Sequence, residues 1–314
     1  MTFKFNSKNV LVTGGTGQVG SFLVESLIKH ECNITVLGRN SEKMKEIKPL
    51  VEDKKIEFIE CDLTDEKSVE SIKSTINETD YLVHLSSEFS SKFPTLFENA
   101  QNSVDVNLRG TIQLLKFFER LEGVLYASTI AVYGQPKYHP IDENHPTDPV
   151  SFYACGKLGA EKFLRLYCNS KKIPVTILRY SSVYGPRNRS KQPLSTFIEK
   201  ALLDEPITVY GMGKGYRDFI YISDVVEATI NAITKNQEDI YNIGSGTKCT
   251  IEDLAKMIID LTCSKSRIIL SDRSKDFDFV CDISKAKHKL GFTPTISLVD
   301  GLAQEIKWHR TVKT

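Results

Sequence analysis

The chain has 314 residues, with 41 Lys and Arg against 40 Asp and Glu, a formal net charge of +1. Its 40% hydrophobic and 26% charged residues suit a folded protein of about two lobes and exclude a largely disordered chain. Balanced charge speaks against a polyanion-binding surface, so no nucleic-acid or membrane partner is expected, and no apolar run reaches the ~18 residues of a membrane span.

In chain order, strand-like apolar runs alternate with helical periodicity. Residues 10–12 form a short apolar run ending in glycines, after which Val19, Leu23 and Leu27 recur at helical spacing. Strands are expected at 34–37, 56–60, 81–85, 124–127 and 175–178. A polar helix is expected at 42–50, and further helices near 65–76, 101–120 and 153–169. Strands alternating with helices predict an α/β fold with a doubly wound parallel Rossmann sheet, and the continuously apolar strands fit burial on both faces. This dinucleotide-binding domain is expected over 1–180, with a return segment near 207–235. Past Arg179 the pattern loosens: helices near 194–203, 251–261 and 298–310, strands near 207–210, 219–222 and 267–270. That predicts a smaller, irregular α+β C-terminal lobe over 181–314, mainly for substrate. The seven cysteines, without a C-x-x-C pair, read as reduced thiols of a cytoplasmic protein, and no metal is expected. Residues 1–8 contain no secretory apolar segment.

Three features carry chemistry. Gly14, Gly17 and Gly20 lie between the first strand and the first helix. They allow a tight turn, backbone approach to a pyrophosphate, and close helix–strand packing, with the helix N-terminus free to meet phosphates. At the end of the second strand stands Arg39 instead of an acid. It can pair with a 2′-phosphate, which favours NADP over NAD; a solvated arginine that tolerates NAD is the other reading. Tyr153 and Lys157 are spaced i, i+4 on one helical face, where an ammonium favours the phenolate. Tyr153 can then take a hydroxyl proton as hydride leaves the carbon, with Lys157 on the nicotinamide ribose. Ser128 and Thr129, at the end of a buried strand, place hydroxyls where sites on such sheets gather.

The segments T-G-G-T-G-Q-V-G (13–20), C-D-L (61–63), H-L-S-S (84–87), V-N-L-R-G-T (106–111), A-S-T-I-A-V-Y-G (127–134) and Y-A-C-G-K (153–157) run in a recognisable order. R-Y-S-S-V-Y-G-P (179–186), R-D-F-I-Y-I-S-D-V (217–225), Y-N-I-G-S-G (241–246) and D-I-S-K-A (282–286) continue it. The chain resembles the extended short-chain dehydrogenase/reductase family, in its nucleotide-sugar epimerase, dehydratase and reductase branch. The resemblance implies a cofactor site of Gly14, Thr16, Gly17, Gln18, Val19, Gly20, Arg39, Asp62, Leu63, Leu85, Ser86, Asn107, Tyr153 and Lys157. It implies Thr129, Tyr153 and Lys157 as catalytic residues, and Ser128, Thr129, Ser182, Arg217 and Arg273 as contacts to a nucleotide-diphosphate sugar. It also implies a homodimer through a four-helix bundle of the helices around 105–120 and 153–169.

Departures from the family pattern narrow the reaction. Dehydratases of this branch carry Asp-Glu after the threonine, and decarboxylating relatives tend to carry a glutamate; here Ile130-Ala131 can neither give nor take a proton. Epimerisation at sugar carbon 4 needs only the threonine, tyrosine, lysine and cofactor, and is the reading adopted. A 4-ketoreductase or 4-dehydrogenase using NADP(H) is the alternative, ahead of a reductase of a non-nucleotide ketone or an inert cofactor sensor. Ser181-Ser182 replaces the family's asparagine, and the basic loop 186–193 reads either as a diphosphate contact or as a solvated charged loop.

Overall fold

The computed structural model describes residues 7–88, 97–188, 192–272 and 278–312. Six apolar runs form β1 (Asn9–Thr13), β2 (Asn33–Gly38), β3 (Glu57–Glu60), β4 (Tyr81–His84), β5 (Gly123–Thr129) and β6 (Val175–Tyr180). With the strand Asp239–Ile243 they make one seven-stranded sheet, ordered Asp239–Ile243, β6, β5, β4, β1, β2, β3. Pairing is parallel, with Val10 opposite both Ile34 and Tyr81, and Val83 opposite Leu125. Parallel strands are joined by crossovers that cover both faces, and Leu11, Val12, Val36 and Val83 are accordingly fully buried. Strand order reverses between β1 and β4, the switch point beyond whose carboxyl ends ligands bind in open α/β sheets.

The helix α1 (Gln18–Leu27) follows β1 and buries Leu23, Val24 and Leu27, as its spacing requires. The long helix Phe152–Lys171 is capped by the Ser151 hydroxyl, which accepts Ala154 N–H (3.3 Å). Its buried stripe contains Ala154, Ala160, Leu164 and Cys168, but also Lys157 and Glu161. Two charges in a helix's core-facing stripe need partners, and that requirement leads to the site. Phe97–Ser103, a π-wound Val104–Arg109 and Gly110–Leu115 run on as one helix, and π turns mark functional positions unusually often.

By contact density the chain forms two compact units: Met1–Gly134 with Thr147–Arg179 and Val226–Tyr241, and Gln135–Pro146 with Tyr180–Val225 and Asn242–Thr314. In the second unit Ile207–Tyr210 pairs in parallel with Ile268–Ser271, and Ser182–Tyr184 with Phe219–Tyr221. The carboxylate of Asp218, fully buried there, accepts N–H bonds from Ser245 (2.7 Å), Gly246 (3.1 Å) and Cys281 (3.2 Å). It ties together three segments that have no common sheet.

Several elements differ from expectation. Residues 42–50 form a 3₁₀ turn, Ser41–Met44, and a short helix, Lys48–Glu52, because Pro49 is suited to starting a helix rather than continuing one. The 65–76 segment is two helices, Glu66–Ser71 and Lys73–Glu78, with a non-helical Ile72 between. The strand Asp239–Ile243 and the helices Ile222–Lys235 and Ser284–Leu290 were not expected from periodicity; the strand is short and half polar.

Candidate active site

The β1–α1 turn is shaped by its glycines. Gly14 has φ +71°, and a Cβ there would stand 2.7 Å from Ser86 N; one on Gly20 would stand 2.2 Å from the Gly14 carbonyl oxygen. Backbone therefore occupies the space a side chain would fill. Gly17, extended at φ −78°, caps α1 without a side-chain hydrogen bond, the kind of helix N-terminus that suits an anion. A cavity of about 180 Å³ opens beside this turn. Gly14, Thr16 and Gly17 form one wall, Arg39 with Asp62 and Leu63 the next, and Leu85 and Ser86 the third. Gln18 and Val19 are the first residues of α1 and do not line it. Arg39 is half exposed and donates to Glu88 (Nη2–Oε2 3.1 Å).

Asn107 lies behind the cavity with its amide fully used. Its Oδ1 accepts Glu88 N–H (3.1 Å), and its Nδ2 donates to the Glu88 carbonyl (3.2 Å) and the Ser103 hydroxyl (3.1 Å). It holds the strand-end loop rather than facing a ligand. His84, at the end of β4, does similar work. The Thr111 hydroxyl donates to the Asn107 carbonyl (2.8 Å), so it must accept from His84 Nε2 (2.8 Å). His84 Nδ1 is then the acceptor for the Thr13 hydroxyl (2.6 Å), whose oxygen accepts Ser86 N–H (3.1 Å). Burial, with repulsion from Lys157 adding to it, drives the imidazole pKa down to about 3, so the ring is neutral.

Tyr153 and Lys157 open the long helix. The hydroxyls of Ser87 and Thr129 hydrogen-bond the Tyr153 phenol and pull its pKa down; burial outweighs them and leaves it raised. Thr129 also accepts Ala131 N–H (3.2 Å), which fixes its rotamer at the strand end. Lys157 is 2% exposed and donates to the carbonyls of Ala127 (2.9 Å) and Ser86 (3.4 Å), with its ammonium 4.7 Å from the Tyr126 ring centroid. Burial pulls its pKa to about 7, and the Glu161 carboxylate opposes this.

Ser128, expected at the substrate, is turned the other way. Its hydroxyl donates to Glu161, and Glu161 pairs with Arg179 through Nε (3.1 Å) and Nη2 (2.7 Å). Ser87 and Arg179 stand inside the segments 84–87 and 179–186, where the resemblance implies no role for them, and Glu161 lies in none; the signal in reach was Glu161 four residues after Lys157 on the same face.

In the second unit Arg217 and Ser182 line a cavity of about 380 Å³. Its walls carry Lys200 and Arg217 with Tyr210, Phe197 and Phe219, and no carboxylate among the described residues. Arg217 donates to the Tyr216 carbonyl (3.2 Å) and lies over the Phe279 ring, 5.6 Å from its centroid. Arg273 lies outside the described residues, as do 189–191 of the basic loop. No group of three or more metal-ligating side chains occurs among the described residues, and no helix there is long and apolar enough to cross a membrane.

Residues 10–244 match the NAD dependent epimerase/dehydratase family. A putative UDP-glucose 4-epimerase of Methanocaldococcus jannaschii is 32% identical over 96% of this chain and 98% of its own length. The human dTDP-D-glucose 4,6-dehydratase is 30% identical over 97% and 90%. The crystal structure of UDP-glucuronic acid 4-epimerase from Bacillus cereus, in complex with UDP-glucuronic acid and NAD, superposes with a TM-score of 0.88 at 28% identity, covering 97% of this chain and 99% of that one. These likenesses lend no support to the NADP expected from Arg39. With the glycine turn, the tyrosine–lysine pair and the parallel sheet in place, the chain belongs to the NAD-dependent epimerase/dehydratase family.

Proposed function

We propose that this chain is a nucleotide-sugar 4-epimerase that works with NAD. The observation that carries the reading is the Tyr153 phenol held by Thr129 and Ser87, with Ile130-Ala131, neither an acid nor a base, directly after Thr129. The same two residues argue against elimination of water, even though dehydratases are among the relatives. The M. jannaschii and B. cereus proteins named above support the 4-epimerase reaction and a uridine diphosphate sugar as the first substrate to try.

The site fits a dinucleotide. Backbone fills the space where a Cβ on Gly14 or Gly20 would stand, the start of α1 suits a pyrophosphate, and the cavity beside it is lined by Asp62 and Leu63, the residues that the family resemblance places over the adenine. NAD held there would supply hydride acceptance and hydride return, and inversion at carbon 4 requires the 4-keto sugar to turn over between the two. Tyr153 removes the carbon-4 hydroxyl proton and later restores it, Thr129 shares a hydrogen bond with that oxygen, and Lys157 holds the nicotinamide ribose and favours the phenolate. In the second cavity Arg217 and Lys200 would meet the diphosphate, with the aromatic walls against the base. Glu88 already engages the Arg39 guanidinium and sets a carboxylate where a 2′-phosphate would come, which supports NAD over NADP. A 4-ketoreductase using NADP(H) is the second reading, and Arg39 alone favours it.

Val104, Phe163 and Leu166 are 47, 48 and 71% exposed on the helix Phe97–Leu115 and the helix Phe152–Lys171. Such an apolar pair of helices supports a homodimer through a four-helix bundle. Seven unpaired thiols support a reducing, cytoplasmic setting. The test is a panel of UDP-, dTDP-, GDP- and CDP-sugars incubated with the purified protein. Interconversion of two carbon-4 epimers without added cofactor is expected; stoichiometric NADPH consumption with one product would replace the reading by a ketoreductase.

A further inference from the structure

Tyr153, Lys157 and Glu161 stand at successive i, i+4 positions on the helix Phe152–Lys171. Three consecutive residues at the end of β5 meet them. The Ala127 carbonyl accepts Lys157 Nζ at 2.9 Å, the Ser128 hydroxyl donates to Glu161 Oε1, and the Thr129 hydroxyl bonds the Tyr153 phenol. The pairing continues onto β6. Arg179 holds both oxygens of Glu161, at 3.1 and 2.7 Å, and its guanidinium lies over the Tyr133 ring, 4.8 Å from the centroid. Glu161 and Arg179 are 1 and 2% exposed. Apolar residues of the same size would stabilise such a position at least as well, so stability alone does not account for a buried ion pair here.

We infer that Ser128, Glu161 and Arg179 are positioning residues: they set the register of the helix on β5, and Glu161 supplies the negative charge that keeps Lys157 an ammonium. The inference rests on the roles proposed above for Tyr153 and Lys157. The other titratable groups around Lys157 cannot supply that charge. His84 on β4 is neutral, Tyr126 on β5 presents its ring, and Tyr153 on the same helix is a phenol held above its ordinary pKa by burial. Among the described residues the hydrogen-bond acceptors of the ammonium are two backbone carbonyls. Register matters equally, since a shift of about 1 Å in a reacting group lowers turnover by about 100-fold.

The test uses two variants of the full chain, Glu161→Gln and the double variant Glu161→Leu/Arg179→Leu. The first leaves Arg179 uncompensated and can fail to fold; the second removes both charges and keeps the volume. NADH affinity, followed by cofactor fluorescence across neutral and alkaline pH, falls in the native protein as Lys157 loses its proton, and Lys157→Met abolishes that fall. In the folded variants the fall is expected about one pH unit or more lower. Turnover of the nucleotide sugar is expected to drop about 100-fold with KM near the native value. A folded double variant with an unmoved pH profile overturns the inference, as does a native profile without the fall. If the native protein turns over no nucleotide sugar, the proposed function fails, and the NADH titration still decides this one.

Discussion

At the residue scale, the chemistry rests on the Tyr153 phenol and the hydroxyls that bond it. Ser87 and Thr129 are its hydroxyl neighbours, and neither can replace it as an acid or base at neutral pH. Tyr153→Phe should therefore lower turnover by about 10²–10⁴-fold while NADH binding, measured by fluorescence, changes little; retained turnover would remove the tyrosine from the reaction. Arg39 is a second residue-scale case. Since Glu88 holds its guanidinium, Arg39→Ala should leave NAD affinity within about threefold of native, and calorimetry should show the native protein binding NAD more tightly than NADP. The pair Tyr153 and Lys157 was legible in the sequence because i, i+4 spacing puts two side chains on one face whatever the tertiary structure. The direction of Ser128 was not. A strand residue's face is set by register against its neighbours, and here the hydroxyl goes to Glu161, 33 residues away.

At the scale of elements, two strand ends make the cofactor side of the site. The β1–α1 turn has no room for a methyl at Gly20, where the obstacle is backbone. Gly20→Ala should push α1 away from β1, at a cost of about 1–3 kcal/mol in stability, and should weaken NADH binding in the same variant. Native-like affinity would show that the turn yields. The β4 end is held by His84 between Thr13 and Thr111, and it titrates with a definite sign. In the folded chain the imidazole stays neutral down to about 3, whereas the unfolded chain takes up a proton near 6.5. Stability contributed by the neutral ring is thus present above about 6.5 and lost as pH falls toward 3. Denaturant titrations should show the native protein losing up to about 1.4 kcal/mol per pH unit more than His84→Gln in that window. Equal slopes would mean that the ring is charged in the folded state.

At the scale of the molecule, the exposed apolar residues Val104, Phe163 and Leu166 have a testable consequence. Leu166→Lys should shift the native protein from dimer to monomer in light scattering while leaving its fold unchanged by circular dichroism. A native monomer would end the bundle proposal. The β1–β6 framework, the reversal of strand order and the glycine turn all follow from local pattern. Apolar runs buried on both faces, helices between them and glycines at one junction admit few other arrangements.

Two polar residues of the buried helical stripe, Lys157 and Glu161, show where that legibility ends. Sequence pattern determined an α/β dinucleotide fold, and through the family resemblance a tyrosine–lysine pair and the absence of carboxyls after Thr129. The tertiary structure alone decided that Asn107 holds a loop, that Ser128 faces the core, and that Glu161 closes on Arg179. Periodicity reports which face a side chain lies on; the partner it finds there comes from another strand, and only the packed sheet brings the two within hydrogen-bonding distance.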